Sequence, residues 1–121
     1  MGSPRGEVGT DANVMIGGVI VTDDKTVLVR ALGPTLTQFG VANALPDPAL
    51  ELRNAQGALV DSNDNWQTSP QKTQIQATGF APPNAAEPAL CVSLPTGNYT
   101  AIVRGVGPAP TGTALVEVYP Q

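Results

Sequence analysis

The sequence predicts an all-β protein, an antiparallel, jelly-roll-like β-sandwich of seven or eight strands with one short helix. Short runs rich in Val, Ile, Leu and Thr recur along the chain, which is the pattern of sandwich strands. The 13 Gly and 12 Pro fall mostly between those runs, where they punctuate turns. Only one segment carries helix signals, so the pattern lacks the crossover helices a parallel sheet requires. With 121 residues, 41% of them apolar, the chain reads as a single domain over 1–121, large enough to bury a core without staples.

Residues 1–12 read as a linking or strand-donating segment. The first strand is Val14–Val21, an apolar run too short for a buried helix and interrupted by Gly17 and Gly18. Asp23 and Asp24 mark a turn, and 26–32 is a second strand expected to pair with the first as a hairpin. Gly33-Pro34 ends it, because proline brings no donor to a ladder. The stretch 35–48 is a long connection with room for one helical turn, and its apolar anchors Leu36, Phe39, Val41 and Leu45 close one end of the core. Strands at 49–53 and 58–62 form a hairpin around Asn54-Ala55-Gln56-Gly57, where Asn and Gly supply the turn conformations. Ser69 and Pro70 then open a surface helix of about two turns that points Ile75 inward and stops at Gly79. A proline-rich loop, 81–88, leads to strands at 89–94, 98–105 and 111–119, with Pro95-Thr96-Gly97 as the tip of a last hairpin. Val27-Leu28-Val29 and Ala101-Ile102-Val103 are apolar on both faces, which implies an outer face covered by a loop, the helix or a neighbouring molecule.

Composition removes several function classes. The chain has no His and one Cys, Cys91, which excludes the usual zinc sites and any Ser-His-Asp or Cys-His nucleophile. Cys91 reads as a small strand residue beside Leu90 and Val92. Six scattered cations against ten acids, a net charge of −4, leave no basic stripe for nucleic acid. No apolar run approaches the ~20 residues of a membrane span, and the first residues lack the basic start and apolar stretch of a signal peptide.

The densest set of oxygen ligands is Asp61-Ser62-Asn63-Asp64-Asn65. Asp61, Asn63, Asp64 and Asn65 are therefore candidate calcium ligands, calcium being the one cofactor considered, with Asp47 or Glu87 as more distant donors. Asp61, Asn63 and Asn65 match the first, third and fifth positions of an EF-hand loop, but Trp66 stands where the glycine belongs and Lys72 where the bidentate Glu belongs. The competing reading is an Asx-rich turn whose side chains bond their own backbone. Trp66 is a candidate ligand platform for a sugar, set against core packing beneath the helix. Arg30 and Arg104 lie in strand patterns, where a charge needs a partner, and Glu51 and Glu117 are the expected ones. Val14, Met15, Ile16, Val19, Ile20 and Val21 form an uncharged run of high β propensity, a candidate assembly strand that could complete a neighbour's sheet.

Arg5-Gly6-Glu7-Val8-Gly9-Thr10, Asn13-Val14-Met15-Ile16-Gly17-Gly18, Val27-Leu28-Val29-Arg30-Ala31-Leu32-Gly33-Pro34, Asp47-Pro48-Ala49-Leu50-Glu51-Leu52, Ser62-Asn63-Asp64-Asn65-Trp66 and Leu115-Val116-Glu117-Val118-Tyr119 together carry a resemblance. Over nearly its whole length the chain resembles a repeated module of large secreted or surface proteins from environmental bacteria such as Verrucomicrobia and Acidobacteria. Its middle and end are more distantly similar to the bacterial pre-peptidase C-terminal domain, a β-sandwich appended to secreted proteases for substrate attachment. The resemblance implies an extracellular or cell-surface, non-catalytic module, found in tandem or beside other domains, and supplies no ligand. Two functions follow as expectations. One is a structural or adhesive module that self-assembles into a fibre or repeat stalk through its terminal segments. The other is a module of a secreted enzyme that binds polysaccharide or a protein substrate.

Overall fold

Alternation of apolar residues decides which face of each strand turns inward, and two sheets close over the result. The computed structural model describes residues 5–8, 14–107 and 111–121, with side chains from Ile16 onward. The strands are Arg5–Val8 (β1), Val14–Val21 (β2), Lys25–Leu32 (β3), Pro48–Arg53 (β4), Leu59–Asn63 (β5), Ala89–Leu94 (β6), Gly97–Gly105 (β7) and Gly112–Pro120 (β8). One α-helix, Lys72–Ala77 (α1), and two 3-10 turns, Pro34–Phe39 and Trp66–Thr68, lie in the connections. The strands form two four-stranded sheets of order β1-β8-β3-β6 and β2-β7-β4-β5, with every strand pair antiparallel. Apart from the β4–β5 hairpin, each connection crosses from one sheet to the other. This is the jelly-roll connectivity, two sheets joined by Greek-key crossings.

The core lies between the sheets. Val27, Val29 and Ala31 of β3, Val116 and Val118 of β8 and Leu90 and Leu94 of β6 face Val19 and Val21 of β2, Leu50 and Leu52 of β4 and Tyr99, Ala101 and Val103 of β7. Leu45 plugs one end. Tyr99 is buried, and its hydroxyl donates to the Pro95 carbonyl at 2.7 Å, so its polar tip is satisfied. Two glycines permit close backbone approach at that plugged end. A Cβ at Gly33 would lie 2.2 Å from the Leu45 carbonyl oxygen, and Gly112, at φ 150°, would place one 2.7 Å from the Leu45 backbone.

The two outer faces differ. The β1-β8-β3-β6 sheet is covered by the connections: Leu28 and Ala89 are buried beneath Trp66 and Ile75, and Leu32 beneath Leu36 and Val41. The outer face of the other sheet carries Ile16 and Ile20, 64% and 69% exposed, with half-buried Ile102 in register beside Ile16. Of the two runs expected to be apolar on both faces, the helix covers the first and the second faces outward.

Five sequence expectations are corrected. β2 and β3 are not a hairpin: β2 pairs with β7, and β3 with β6 and β8. β6 and β7 likewise lie in opposite sheets, so the last hairpin is a crossing. Both misreadings have one cause, that periodicity reports which face is buried but not which strand lies alongside. Asp24 ties the two crossings together, its Oδ1 accepting from Thr96 N at 2.8 Å and from Thr96 Oγ1 at 3.1 Å. Arg5–Val8, read within a linking segment, is a strand pairing with β8 of its own chain. Phe39, read as a core anchor, is 74% exposed, because the tight turn that buries Leu36 carries it outward. The β4–β5 hairpin and its Asn54–Gly57 turn are as expected: Asn54 Oδ1 accepts from Gln56 N and Ala58 N, and Gly57 adopts φ 82°. The helix falls between the Ser69 and Gly79 signals with Ile75 fully buried, but it is shorter than they imply: it spans Lys72–Ala77, with Gln71 and not Ser69 at its N-cap.

Candidate functional site

Asp61 and Asn63 of the oxygen-rich segment lie on one flank of the sandwich, where β5 of one sheet meets β6 of the other. Asp61 closes on its own neighbourhood: Oδ1 accepts from Ser62 N at 2.8 Å and Oδ2 from the Gln71 amide at 2.6 Å. Asn63 turns to β6, accepting from Ala89 N at 3.1 Å and donating through Nδ2 to the Ala89 carbonyl. Gln71, just before α1, accepts from Cys91 N at 2.9 Å. Two side-chain amides thus take up three of the backbone groups of β6, at Ala89 and Cys91, that a further strand would otherwise pair. The carbonyl of Asn65 accepts from Thr68 inside the Trp66–Thr68 turn.

That leaves Asp64, whose charge lies near Asp47. Burial, and secondarily the Asp64 charge, push the Asp47 carboxyl above the usual carboxylate range, and its Oδ1 is buried without a hydrogen-bond partner among the described residues. Among the described residues no three His, Cys, Asp or Glu side chains gather into a group that could hold a metal. Within 61–65, the side chains of Asp61 and Asn63 are engaged in closing the flank. Glu87, the more distant donor considered, is fully buried and engaged. Its Oε2 accepts from Gly33 N at 2.8 Å and Thr35 N at 3.0 Å, and its Oε1 from Thr35 Oγ1 at 2.6 Å and Asn84 N at 3.1 Å.

Trp66 is 5% exposed, packed against Leu28, Ile75 and Ala89, with its indole Nε1 unpartnered among the described residues. It offers no open platform. Of the candidate assembly strand, Val19 and Val21 are core residues, and Ile16 and Ile20 are exposed. The side chains of Val14 and Met15 fall outside the described residues, although both belong to β2.

On the outer face of β3 and β8 the expected Arg30–Glu117 pair is present. Arg30 donates through Nε and an Nη to Glu117 Oε1 at 2.9 and 2.7 Å, and through its other Nη to the Phe80 carbonyl at 3.0 Å. Tyr119 donates to Glu117 Oε2 at 2.7 Å and stacks on Phe80, ring centres 4.1 Å apart. Burial, reinforced by the Glu117 acceptor and opposed by Arg30, raises the Tyr119 hydroxyl above its ordinary range. Beside this network a groove of about 350 Å³ runs between Leu36, Phe39 and Val41 on one wall and Leu32, Leu115, Arg30 and Glu117 on the floor. On the opposite sheet Glu51 lies between Arg53 and Arg104, at 3.3 and 3.5 Å. Burial raises the Cys91 thiol, which suits a packed side chain and not a nucleophile.

Sequence reasoning did not single out the groove, Phe80 or Gln71 as site residues. Their arrangement depends on which loop folds over which strand. The one available signal was the run of outward residues Leu28, Arg30 and Leu32 on β3, which required a cover.

No family model matches the chain, and no curated protein matches it. Among solved structures, the chain is similar to the pre-peptidase C-terminal domain of a Bacillus anthracis collagenase, with a TM-score of 0.61 and 11% identity over 98% of this chain and 88% of that one. It is also similar to PliG of Aeromonas hydrophila, a periplasmic inhibitor of g-type lysozyme, with a TM-score of 0.51 and 12% identity over 98% and 85% of the two chains. At this identity the likeness establishes a shared β-sandwich fold. The distant similarity to a pre-peptidase C-terminal domain expected from the sequence is present at that level.

Proposed function

We propose that this chain is a non-catalytic module that acts outside the cytoplasm as a structural or adhesive unit, joining neighbouring modules or further copies of itself. The observation that supports this reading is the employment of its charged and amide side chains. Glu87, Arg30 with Glu117, and Asn63 with Gln71 each join elements of the fold. A reaction centre requires polar groups aimed at a substrate instead. The setting draws support from the two structural neighbours, one a collagenase domain and the other a periplasmic inhibitor. Light scattering and negative-stain microscopy of the purified chain test the associative part, with oligomers or filaments expected. A turnover assay over esters, glycosides and peptides tests the rest, and hydrolysis above background that survives repurification would overturn it.

The groove beside Phe39 favours a second reading, attachment to an insoluble polysaccharide or protein substrate. An exposed aromatic beside apolar walls suits a sugar ring or an apolar side chain. Co-sedimentation with such matrices would then fall at least tenfold on Phe39→Ala.

A further inference from the structure

The four strands that end the two sheets are β1, β6, β2 and β5. A strand at a sheet edge presents unpaired backbone groups, and natural sandwiches blunt such edges by shortness, bulges, charge, proline or cover. Three of these edges are treated in that way. β6 has Ala89 and Cys91 engaged by the amides of Asn63 and Gln71. β5 is five residues long, with a register shift against β4 at Leu52/Arg53. β1 is four residues long.

Among the described residues β2 is neither shortened, bulged, charged nor interrupted by proline, and no side-chain amide engages its edge. It runs for eight residues, Val14–Val21, without a charge or a proline, and pairs with β7 through eight consecutive partners without a register shift. An antiparallel ladder uses alternate residues on each side of a strand, so half of β2's backbone groups point away from β7. Among the described residues no other strand pairs with them.

We propose that β2 pairs antiparallel with β2 of a second copy, joining two four-stranded sheets into one of eight across a two-fold axis at Gly18. This rests on the self-association reading above and specifies its surface and symmetry. The strand is self-complementary about that glycine. In this register Ile16 lies opposite the partner's Ile20, and Ile20 opposite the partner's Ile16, all on the exposed face. Val19 and Val21 stay in their own core. Gly18 lies at the crossing point, with nothing within 4 Å of where its Cβ would be. An eight-residue strand is about 26 Å long and a two-layer edge roughly 15 Å deep, so each partner buries about 400 Å². The total is somewhat below the ~1,000 Å² of a stable complex, so the dimer forms reversibly and at high concentration. An isologous contact also closes on itself. A fibre therefore needs a second, different contact.

The test is sedimentation velocity on the intact chain from about 10 μM to about 1 mM, the range in which so small an interface operates. Wild type should pass from monomer to dimer and no further through this contact. Ile16→Lys with Ile20→Lys puts like charges opposite each other twice and should hold the chain monomeric. Ile16→Lys with Ile20→Glu puts opposite charges together twice and should restore the dimer. Circular dichroism melts confirm folding, which both pairs should preserve because the two positions are exposed. Ile102→Lys, on the same face but one strand inward, should leave the dimer intact. Monomer at every concentration, equal dissociation by the Lys/Lys and Lys/Glu pairs, or dissociation by Ile102→Lys would each overturn the proposal. A strictly monomeric chain that still sediments with a matrix and turns nothing over would remove the dimer and leave the adhesive reading standing.

Discussion

Glu87 is a carboxylate removed from water, and its stability there depends on four donors converging on its two oxygens. Those donors come from the start of the Pro34–Phe39 turn and from the 80s loop, so one side chain fastens two long connections. Glu87→Gln keeps the shape but turns an NH₂ toward N–H groups that need an acceptor. Leaving buried donors unpaired should cost about 3 kcal/mol, read as a lower urea midpoint with an unchanged slope. Asp47 works the other way. Its carboxyl is raised by burial and by Asp64, so the folded state holds the proton more tightly than the unfolded state. Stability contributed by the protonated form is present below the unfolded value of 3.8 and is lost as pH rises through the raised folded value. Asp47→Asn should therefore raise the melting temperature at neutral pH, and the gain should vanish in acid. Sequence showed both residues only as loop carboxylates and distant candidate donors to calcium. Their opposite effects depend on the donors around each, which come from residues remote in the chain.

Strands and helix were far more legible than their neighbours. β4, β5 and their turn follow from local chemistry, since Asn54 and Gly57 must adopt that turn wherever the hairpin is placed. The Arg30–Glu117 pair was visible because a charge within an apolar strand requires a partner. The pairing of β2 with β7 was not visible, because about 80 residues separate them and any inward-facing strand satisfies the same periodicity. α1 shows the division of labour between propensity and packing. Six residues make a marginal helix on their own. Ile75, fully buried against Leu28, Trp66 and Ala89, holds it down. Ile75→Ala should cost 2–4 kcal/mol, about the range for a large-to-small core change. The loss should be measurable by thermal melt, together with a rise in Trp66 exposure to quenchers.

The whole molecule is a sandwich whose two faces and two flanks are treated differently. One face is roofed by connections and the other bears Ile16, Ile20 and Ile102. One flank is closed by amides, and the other ends in a long regular strand. The asymmetry is thus spread over whole faces and flanks of the sandwich. The direction of β1 bears on how the fold would respond to tension. Its Arg5 end lies opposite Leu115 and runs antiparallel to β8, so the chain enters and leaves toward the same end of the molecule. Tension applied through both ends loads the β1–β8 ladder one pair at a time, as a zipper, and not across all its pairs together. In single-molecule pulling, β1 should peel away at low force, a short first extension before the remaining strands give way. Attachment through the β4–β5 turn and the C-terminus should remove that first step. A string of such units would lengthen in small increments under gentle strain, behaving as a compliant tether and not as a stiff rod.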